Sequence, residues 1–467
     1  MKQRATEREH SEKPWATRNL GIDLCHDPEA LHDATESHSD RFSVRTLVQP
    51  GIRHNNPRRA HLLVSTVLGK HLPTDPRLVL GAGERLGDLV RETLGRRDAV
   101  VLGFAETATG LGHCVAERIG ASCYLHSTRR EVPHAQTLAG FEEGHSHATS
   151  HLLQPTPADI FVNDLPLVLV DDEISTGATM IDAIRALHAF SPRAHYILAS
   201  LVDLRDAADR RRFAAAAAAL DVRIDTVCLA TGRASLPDGL IDAVSALPAP
   251  RLNPVAGHPG GFDRMELPWP AAVPEGGRHG MLASDATAFE AALAAAAAAL
   301  TTRLDAGFTD RPVIVLGHEE LMYLPLRLAA LLADTGTATR FQTTTRSPAY
   351  VLDEPGYPLR RGFRFVAPEP GDVAPRFLYN ARWPDEMPDA VCRATGAAAA
   401  RPTADPVLVV VVDSPADTTE LMAEGGLIDV LTSSGADVLL AVLREADPRR
   451  LHDHRISAPD AGVGSRR

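Results

Sequence analysis

The stretch LVLVDDEISTGATMIDAIRAL, from Leu167 to Leu187, constrains the fold of this chain more than any other. Four consecutive apolar residues, Leu167 to Val170, read as a buried strand that ends in two carboxylates, Asp171 and Asp172. A turn rich in hydroxyls and glycine follows. Apolar residues at Met180, Ile181, Ile184 and Leu187 then mark a helix. Strand, turn and helix in that order make the βα unit of a parallel sheet. Ligands of such sheets sit outside the carboxyl ends of the strands, which puts Asp171 and Asp172 on a ligand-facing rim.

The turn has its own chemistry. Ser175, Thr176, Gly177, Ala178 and Thr179 place hydroxyls and unpaired N–H groups at a helix N-terminus, where an anion is favoured. Gly177 allows close backbone approach or a positive φ. The two carboxylates would repel a phosphate in that cradle, but they can accept hydrogen bonds from neighbouring hydroxyls of a ribose attached to it. A plain strand–turn–helix capped by Ser175 or Thr176 needs neither the acid pair nor the run of hydroxyls about a glycine. The stretch resembles the signature that binds 5-phosphoribosyl 1-pyrophosphate (PRPP) in type I phosphoribosyltransferases, with Ser175 where many members have threonine.

The chain has 467 residues, room for two to three domains. A net charge of −12 argues against nonspecific nucleic-acid binding as its main business. The five cysteines, Cys25, Cys114, Cys123, Cys228 and Cys392, form no CxxC pair and suit a reducing cytoplasm. No apolar run is read as long enough to span a membrane. The polar start MKQRATEREHSEKPW has no apolar segment of the kind a signal peptide needs.

Residues 1–40 are expected to be a poorly ordered extension, followed by a first domain over 41–247. Phe42 to Val48 is expected as a strand and Arg58 to Leu68 as a helix. The basic residues Arg53, His54, Arg58, Arg59, Lys70 and His71 bracket that helix, either as a solvated face or as contacts to an acidic ligand. Arg77 to Leu80 is read as a short strand before a helix. Gly81, Gly83 and Gly87 there imitate a dinucleotide fingerprint too weakly to count. Ala99 to Phe104 is a buried strand that runs into a second small-residue turn, Ala105, Glu106, Thr107, Ala108, Thr109 and Gly110, which again favours an anion. After a strand at 121–126 come Arg129, Arg130 and a long connection with Glu142, Glu143, His145 and His147. A connection of that length in a compact domain is usually functional or disordered, and a lid of this kind would exclude water.

Pro- and Gly-rich residues 248–280 are expected to link the first domain to a second, over 281–455, with a flexible tail at 456–467. The second half repeats the first in eroded form: PVIVLG matches VVLG, TRFQTTTR matches CYLHSTR, VLVVVVD matches LVLVDD, and ADVLLAVLR matches HYILASLVDLR. It keeps one acid, Asp413, and no Thr-Gly loop. Its candidates are His318, Glu319 and Glu320 at one turn and Thr345, Arg346 and Ser347 at another, forming either a separate site or an interface onto the first.

The phrases AETATGLG, STRR, EEGHSHA and VDDEISTGAT, followed by GHEELMYLPLRLA, TTTRSP and RFLYNA, resemble one family. It joins an orotate-type phosphoribosyltransferase to a TRSP domain and occurs in bacterial gene clusters for tellurite resistance and stress response. The resemblance implies a parallel-sheet α/β transferase fold with a hood, followed by a second α/β domain. It implies PRPP as co-substrate with Mg²⁺, a nitrogenous base as the other substrate, a nucleoside-like product and a homodimer in the cytoplasm. Asp171, Asp172, Arg129 and Arg130 would then be catalytic. Asp171 to Glu173 and Ser175 to Thr179 would hold PRPP, Ala105 to Gly110 the pyrophosphate, and Glu142, Glu143, His145 and His147 would belong to the hood. Glu173 is open to two readings, general base or solvent-facing loop residue. No protein ligand to a metal is assigned. The other class left open is a non-catalytic PRPP or nucleotide sensor or scaffold, because a fold does not fix a function.

Overall fold

The computed structural model describes residues 13–26, 35–36, 42–54, 56, 59–95, 97–130, 132, 135–142, 150–384, 402, 404–443 and 447–457, with backbone alone at 35, 36, 142 and 150. The first sheet is built on five parallel strands: β1 (Val100–Gly103), β2 (Cys123–His126), β3 (Leu167–Ile174), β4 (His195–Asp203) and β5 (Arg223–Ser235). Their spatial order is β2-β1-β3-β4-β5. This is a doubly wound order whose switch point lies between β1 and β3, the place where such sheets open a crevice for ligands. The strands are nearly continuous apolar runs because both faces are covered. Antiparallel strands Asp23–His26 and Met281–Leu282 close the two edges. Helices α1 (Pro76–Leu94), α2 (Thr109–Ile119) and α3 (Ala178–Phe190) pack on this sheet.

The second sheet has strands β6 (Phe262–Glu266), β7 (Val313–Gly317), β8 (Thr339–Thr343), β9 (Val407–Asp413) and β10 (Val438–Leu443), all parallel, in the order β8-β7-β9-β10-β6. Four positions therefore match the first sheet strand for strand. An antiparallel hairpin also follows the second matched strand in each copy, Ala139–Glu142 with Ser150–Leu153 and Gly362–Phe365 with Arg376–Tyr379. The fifth position differs. The first sheet fills it with its last strand, β5, and the second with β6, which precedes its other strands.

A shared helical layer joins the copies. Helices α4 (Ala286–Gly307) and α5 (Tyr323–Asp334) belong to the second domain, and α5 packs against α1 and α2. One apolar core runs from Leu86 and Val90 through Val115 to Leu324 and Leu328. At about 1.5–3 kcal/mol for each large apolar side chain buried, this layer is what holds the domains together. Gly83 permits the close α1–α2 contact, since a methyl there would lie 2.4 Å from the Cβ of Cys114.

Several local expectations change. Arg58 lies outside the described residues, and the rest of the expected 58–68 helix contains a strand, His61–Ser65, in a hairpin with Val48–Ile52. The run Leu62-Leu63-Val64 is buried on both faces, so it shows no alternation, and such a run suits either element. Val44–Leu47 is one helical turn capped by Ser43, and the strand begins only at Val48. The expected strand at 77–80 is the start of α1, because Asp75 accepts from the Arg77 N–H at 3.0 Å and Pro76 takes the first helical position. Within residues 1–40, Trp15–Leu20 is a helix and Asp23–His26 a strand. The segment expected only as a linker supplies β6 to the second sheet and buries Glu275 and Arg278. One segment, Ala283–Gly307, is long and apolar enough by length and composition to cross a membrane, against the expectation that none is. Its alanine-rich sequence carries a buried face of Phe289, Leu293, Ala296 and Leu300 that belongs to the shared core.

Candidate active site

A cleft of about 1170 Å³, open to solvent, lies over the carboxyl ends of β1 and β3. The turn after β3 forms its floor. Gly177 is in the left-handed region at φ 81°, and an added Cβ would come within 3.0 Å of the Phe213 ring, so glycine fits both the backbone and the space. Gly177 caps α3 without a side chain, no acidic residue stands in the first turn, and the Ala178 N–H donates to Thr176 Oγ1 at 3.3 Å. The helix N-terminus and the hydroxyl held at it favour an anion. Ser175 and Thr176 are exposed beside them.

Asp171, Asp172 and Glu173 stand half-buried at the end of β3 and line the same cleft. Burial raises the pKa of Asp172; the Lys70 ammonium opposes this and the neighbouring Glu173 carboxylate adds to it. Burial also acts to raise Glu173, but the charge and hydrogen bond of Arg59 reverse it and hold the carboxyl below its usual range. With Glu173 engaged by Arg59, Asp171 and Asp172 are left as carboxylate oxygens of the type a hard cation takes.

Opposite them, the turn after β1 supplies Ala105, Glu106 and Thr107 to the cleft. The Ala105–Glu106 peptide is cis. The Ala105 N–H donates to Ser127 Oγ at 2.9 Å, and Lys70 Nζ donates to Thr107 Oγ1 at 2.5 Å. Arg129 lines the cleft and donates to the Ala105 carbonyl at 3.3 Å. Thr109 and Gly110 begin α2, where Gly110 packs against Met322 of the second domain.

Of the basic residues flagged in the sequence, Arg53, Arg59, Lys70 and His71 reach the cleft. Burial, with the charges of Lys70 and Arg53, pushes the His71 pKa well down; burial and Arg59 bring His61 to about 4. Both rings are therefore neutral at pH 7, which leaves Lys70 and the arginines as the cationic groups. Among the hood candidates, Glu143, His145 and His147 lie outside the described residues, as does the side chain of Glu142. His151, which the sequence reading did not single out, lines the cleft and bonds Ser127 Oγ through Nδ1 at 2.7 Å.

Arg130 goes elsewhere. It is buried between the domains, 2.7 Å from Glu369, 3.3 Å from Glu319 and Asp413, and 3.5 Å from Glu320. Arg278 adds a bond of 2.8 Å to Asp413. By sheet register Asp413 stands where Asp172 stands in the first copy, and Val412 replaces Asp171. Burial alone would raise Asp413, but Arg278 and Arg130 bring it down to about 2. The rim of the second copy is thus filled by guanidinium groups. His318, Glu319 and Glu369 have ligand atoms within 4.8 Å of one another, a spacing that suits a metal, yet Arg130 and Arg376 already bring positive charge to those carboxylates.

The TRSP tetrapeptide, by contrast, reaches the first site. Arg346 and Ser347 line the cleft. The Arg346 N–H donates to Glu106 Oε2 at 3.0 Å, Thr345 Oγ1 donates to the same atom at 3.1 Å, and Arg346 Nε lies 3.3 Å from Glu106 Oε1. Lys70 and the Arg346–Glu106 contact each bring a segment distant in the chain to this one site.

Residues 47–233 match a family model described as phosphoribosyl transferase, and residues 275–431 match the TRSP domain found C-terminal to it. No curated protein matches the chain in sequence. Among solved structures, adenine phosphoribosyl transferase from Trypanosoma brucei is 14% identical, with 44% of this chain and 82% of that one covered at a TM-score of 0.31. The enzyme from Rhodothermus marinus is 18% identical, with 40% and 96% covered at 0.29. The Leishmania tarentolae enzyme is 13% identical, with 44% and 93% covered at 0.30.

Proposed function

We propose, for a chain that belongs to the phosphoribosyl transferases bearing a C-terminal TRSP domain, that it moves a phosphoribosyl group from PRPP to a nitrogenous base, or catalyses the reverse. The observation that carries this reading is the meeting of an acid pair, a hydroxyl-lined helix N-terminus and the 105–107 turn in one cleft at the switch point. In this reading Ser175 to Thr179 hold the 5-phosphate and Asp171 and Asp172 accept the ribose hydroxyls. The turn of Ala105 to Gly110, with Lys70 and Arg129, receives pyrophosphate. A base nitrogen forms the new bond to ribose C1 as the C1–oxygen bond to pyrophosphate breaks. The protein's share is positioning and stabilisation of developing charge. Glu173, held by Arg59, orients that arginine toward the cleft and is not free to act as a base.

Asp171 and Asp172 are the residues that would hold Mg²⁺, together with oxygens of PRPP itself. When bound, that ion supplies positive charge to the leaving pyrophosphate. The product as a nucleoside-like metabolite of stress- or tellurite-linked clusters, the homodimer and the cytoplasmic setting are parts of the same proposal. Their support is the resemblance of the sequence to its family.

The test is PRPP binding and pyrophosphate release in Mg²⁺, with a panel of bases, for the wild type and for Asp171→Asn/Asp172→Asn. Base-dependent release that the double variant loses is the expected result. Tight PRPP binding with no release for any base would favour a sensor, and no binding at all would end the reading.

A further inference from the structure

The two copies hold each other crosswise. Thr128, just after β2, donates through Oγ1 to Glu320 at 2.8 Å; its counterpart Thr345, just after β8, donates to Glu106 at 3.1 Å. The other bonds at these turns repeat as well. Arg130 N–H donates to Thr128 Oγ1 at 3.1 Å, as Ser347 N–H does to Thr345 Oγ1 at 3.1 Å. Ala105 N–H donates to Ser127 Oγ at 2.9 Å, as Glu319 N–H does to Thr344 Oγ1 at 3.0 Å. Thr128 bridges to Leu152 and Thr345 to Phe377, each on the hairpin of its own copy. The turns therefore meet as two subunits would across an approximate two-fold axis.

The two halves of this contact have different surroundings. Glu320 is buried and boxed in by Arg130 and Arg278. Glu106 faces the open cleft, on the turn that must aim its backbone N–H groups at an anion. A carboxylate there, without a partner, would repel that anion. Thr345 Oγ1 and the Arg346 N–H pin Glu106 at Oε2, and the Arg346 guanidinium, whose own hydrogen bonds go to Glu319 and Asp372, brings its positive charge to within 3.3 Å of Oε1.

We propose that Thr345 and Arg346 are positioning residues of the first domain's site: through Glu106 they hold the 105–107 turn in the conformation that accepts the pyrophosphate end of the substrate. The TRSP domain thus acts as a built-in partner subunit that has given up its own site. The proposal rests on the phosphoribosyl-transfer reading and is tested separately from it.

The experiment uses the full chain and two probes, Mg²⁺-PRPP and ribose 5-phosphate, by titration calorimetry, with hydrogen exchange of residues 104–112 in the ligand-free protein. Arg346→Ala keeps the backbone N–H at Glu106 but removes the positive charge beside it, and is expected to weaken PRPP by about tenfold, the scale of one close countercharge. Ribose 5-phosphate, which lacks the pyrophosphate, should bind within about twofold of wild type on the same reasoning. Exchange at 105–108 should rise. Adding Glu106→Gln to Arg346→Ala should restore most of the PRPP affinity, since the repelling charge is then gone. Thr345→Val, nearly isosteric, gives the same pattern in weaker form and serves if Arg346→Ala fails to fold. Equal loss for both ligands, no rescue by Glu106→Gln, or unchanged exchange in a folded variant would overturn the proposal. If wild type binds neither probe, the transfer reading fails, and the exchange result alone decides whether the TRSP motif holds the turn.

Discussion

The rims of the two sheets have the same strand order and opposite electrostatics. At the first rim, Asp171 and Asp172 face solvent across from Lys70 and Arg129, and burial raises the Asp172 pKa. At the second, Asp413 sits in the place of Asp172, sealed under Arg130 and Arg278, and is pulled down to about 2. A carboxylate kept above its usual range is held at a cost; one kept below it is already satisfied. The same architecture thus carries a site in one copy and a structural ion cluster in the other. A buried cluster of this kind adds little net stability, because desolvation offsets the attraction. Its evident effect is to fix how the domains register, while the shared apolar layer supplies the adhesion.

Exchanging acid for amide at both rims breaks this comparison most directly. Asp171→Asn/Asp172→Asn should lower kcat/KM by on the order of 10²–10³-fold, as the loss of preorganised charge at a reacting sugar does elsewhere. Pyrophosphate-release kinetics measure it, and the double variant should melt no lower than wild type. Asp413→Asn should do the converse. It leaves two buried guanidiniums short of a partner, at about 3–5 kcal/mol, so the melting temperature should fall while PRPP still binds to the folded fraction. If Asp413→Asn lost PRPP binding at unchanged stability, the second rim would have to be a working site.

Acid titration sharpens the same contrast. The folded pKa of Asp413, about 2, is below the ordinary aspartate value of 3.8. Its contribution is therefore fully present above pH 4 and is lost as pH falls through 4 toward 2. Asp172 has the opposite sign. With its folded pKa raised, its contribution is present at low pH and is lost as pH rises through that raised value. Asp172→Asn should accordingly raise the melting temperature at pH 7 by a few degrees, about what 1 kcal/mol produces, with a smaller gain at pH 4. A variant that melts lower than wild type at pH 7 would mean that Asp172 is stabilised in the apo protein by a partner such as Lys70.

Much of the first rim was legible because its parts are adjacent in the chain. Strand, acids, hydroxyl turn and helix from Leu167 to Leu187 need only local periodicity and turn chemistry to be assembled. The four strand correspondences between the halves were legible for the same reason, and the sheet order bears them out. What sequence reading could not reach was set by packing. Arg129 and Arg130 are neighbours in the bend that follows β2, where one enters the cleft and the other the domain interface. No local signal decides which. Lys70 and Arg346 join a site whose other residues are distant in sequence. The strand at 61–65 was misread because an apolar run buried on both faces has no period. The alignment of CYLHSTR with TRFQTTTR did hold a clue, since its matched ends, STR and TTR, made Thr345 the counterpart of Thr128 before either had a known partner.

The smallest expected difference between the copies lies in their glycines. Gly177 and Gly425 both have positive φ, 81° and 76°, the first in the turn after β3 and the second late in the connection from β9 to the helix Leu427–Ser433. Alanine at either position meets the same backbone penalty, about 1 kcal/mol. An added Cβ at Gly425 would have open space around it, whereas one at Gly177 would come within 3.0 Å of Phe213 and 3.2 Å of the Arg205 side chain. Gly177→Ala should therefore destabilise more than Gly425→Ala, by about another 0.5–1 kcal/mol of displaced packing, in matched thermal melts. It should also weaken ribose 5-phosphate, because the turn it distorts presents the N–H groups at the start of α3. Gly425→Ala should leave that affinity alone. Equal losses of ribose 5-phosphate binding in the two variants would mean that phosphate is not held at the Gly177 turn, and the asymmetry between the rims would then have to be sought in the acids alone.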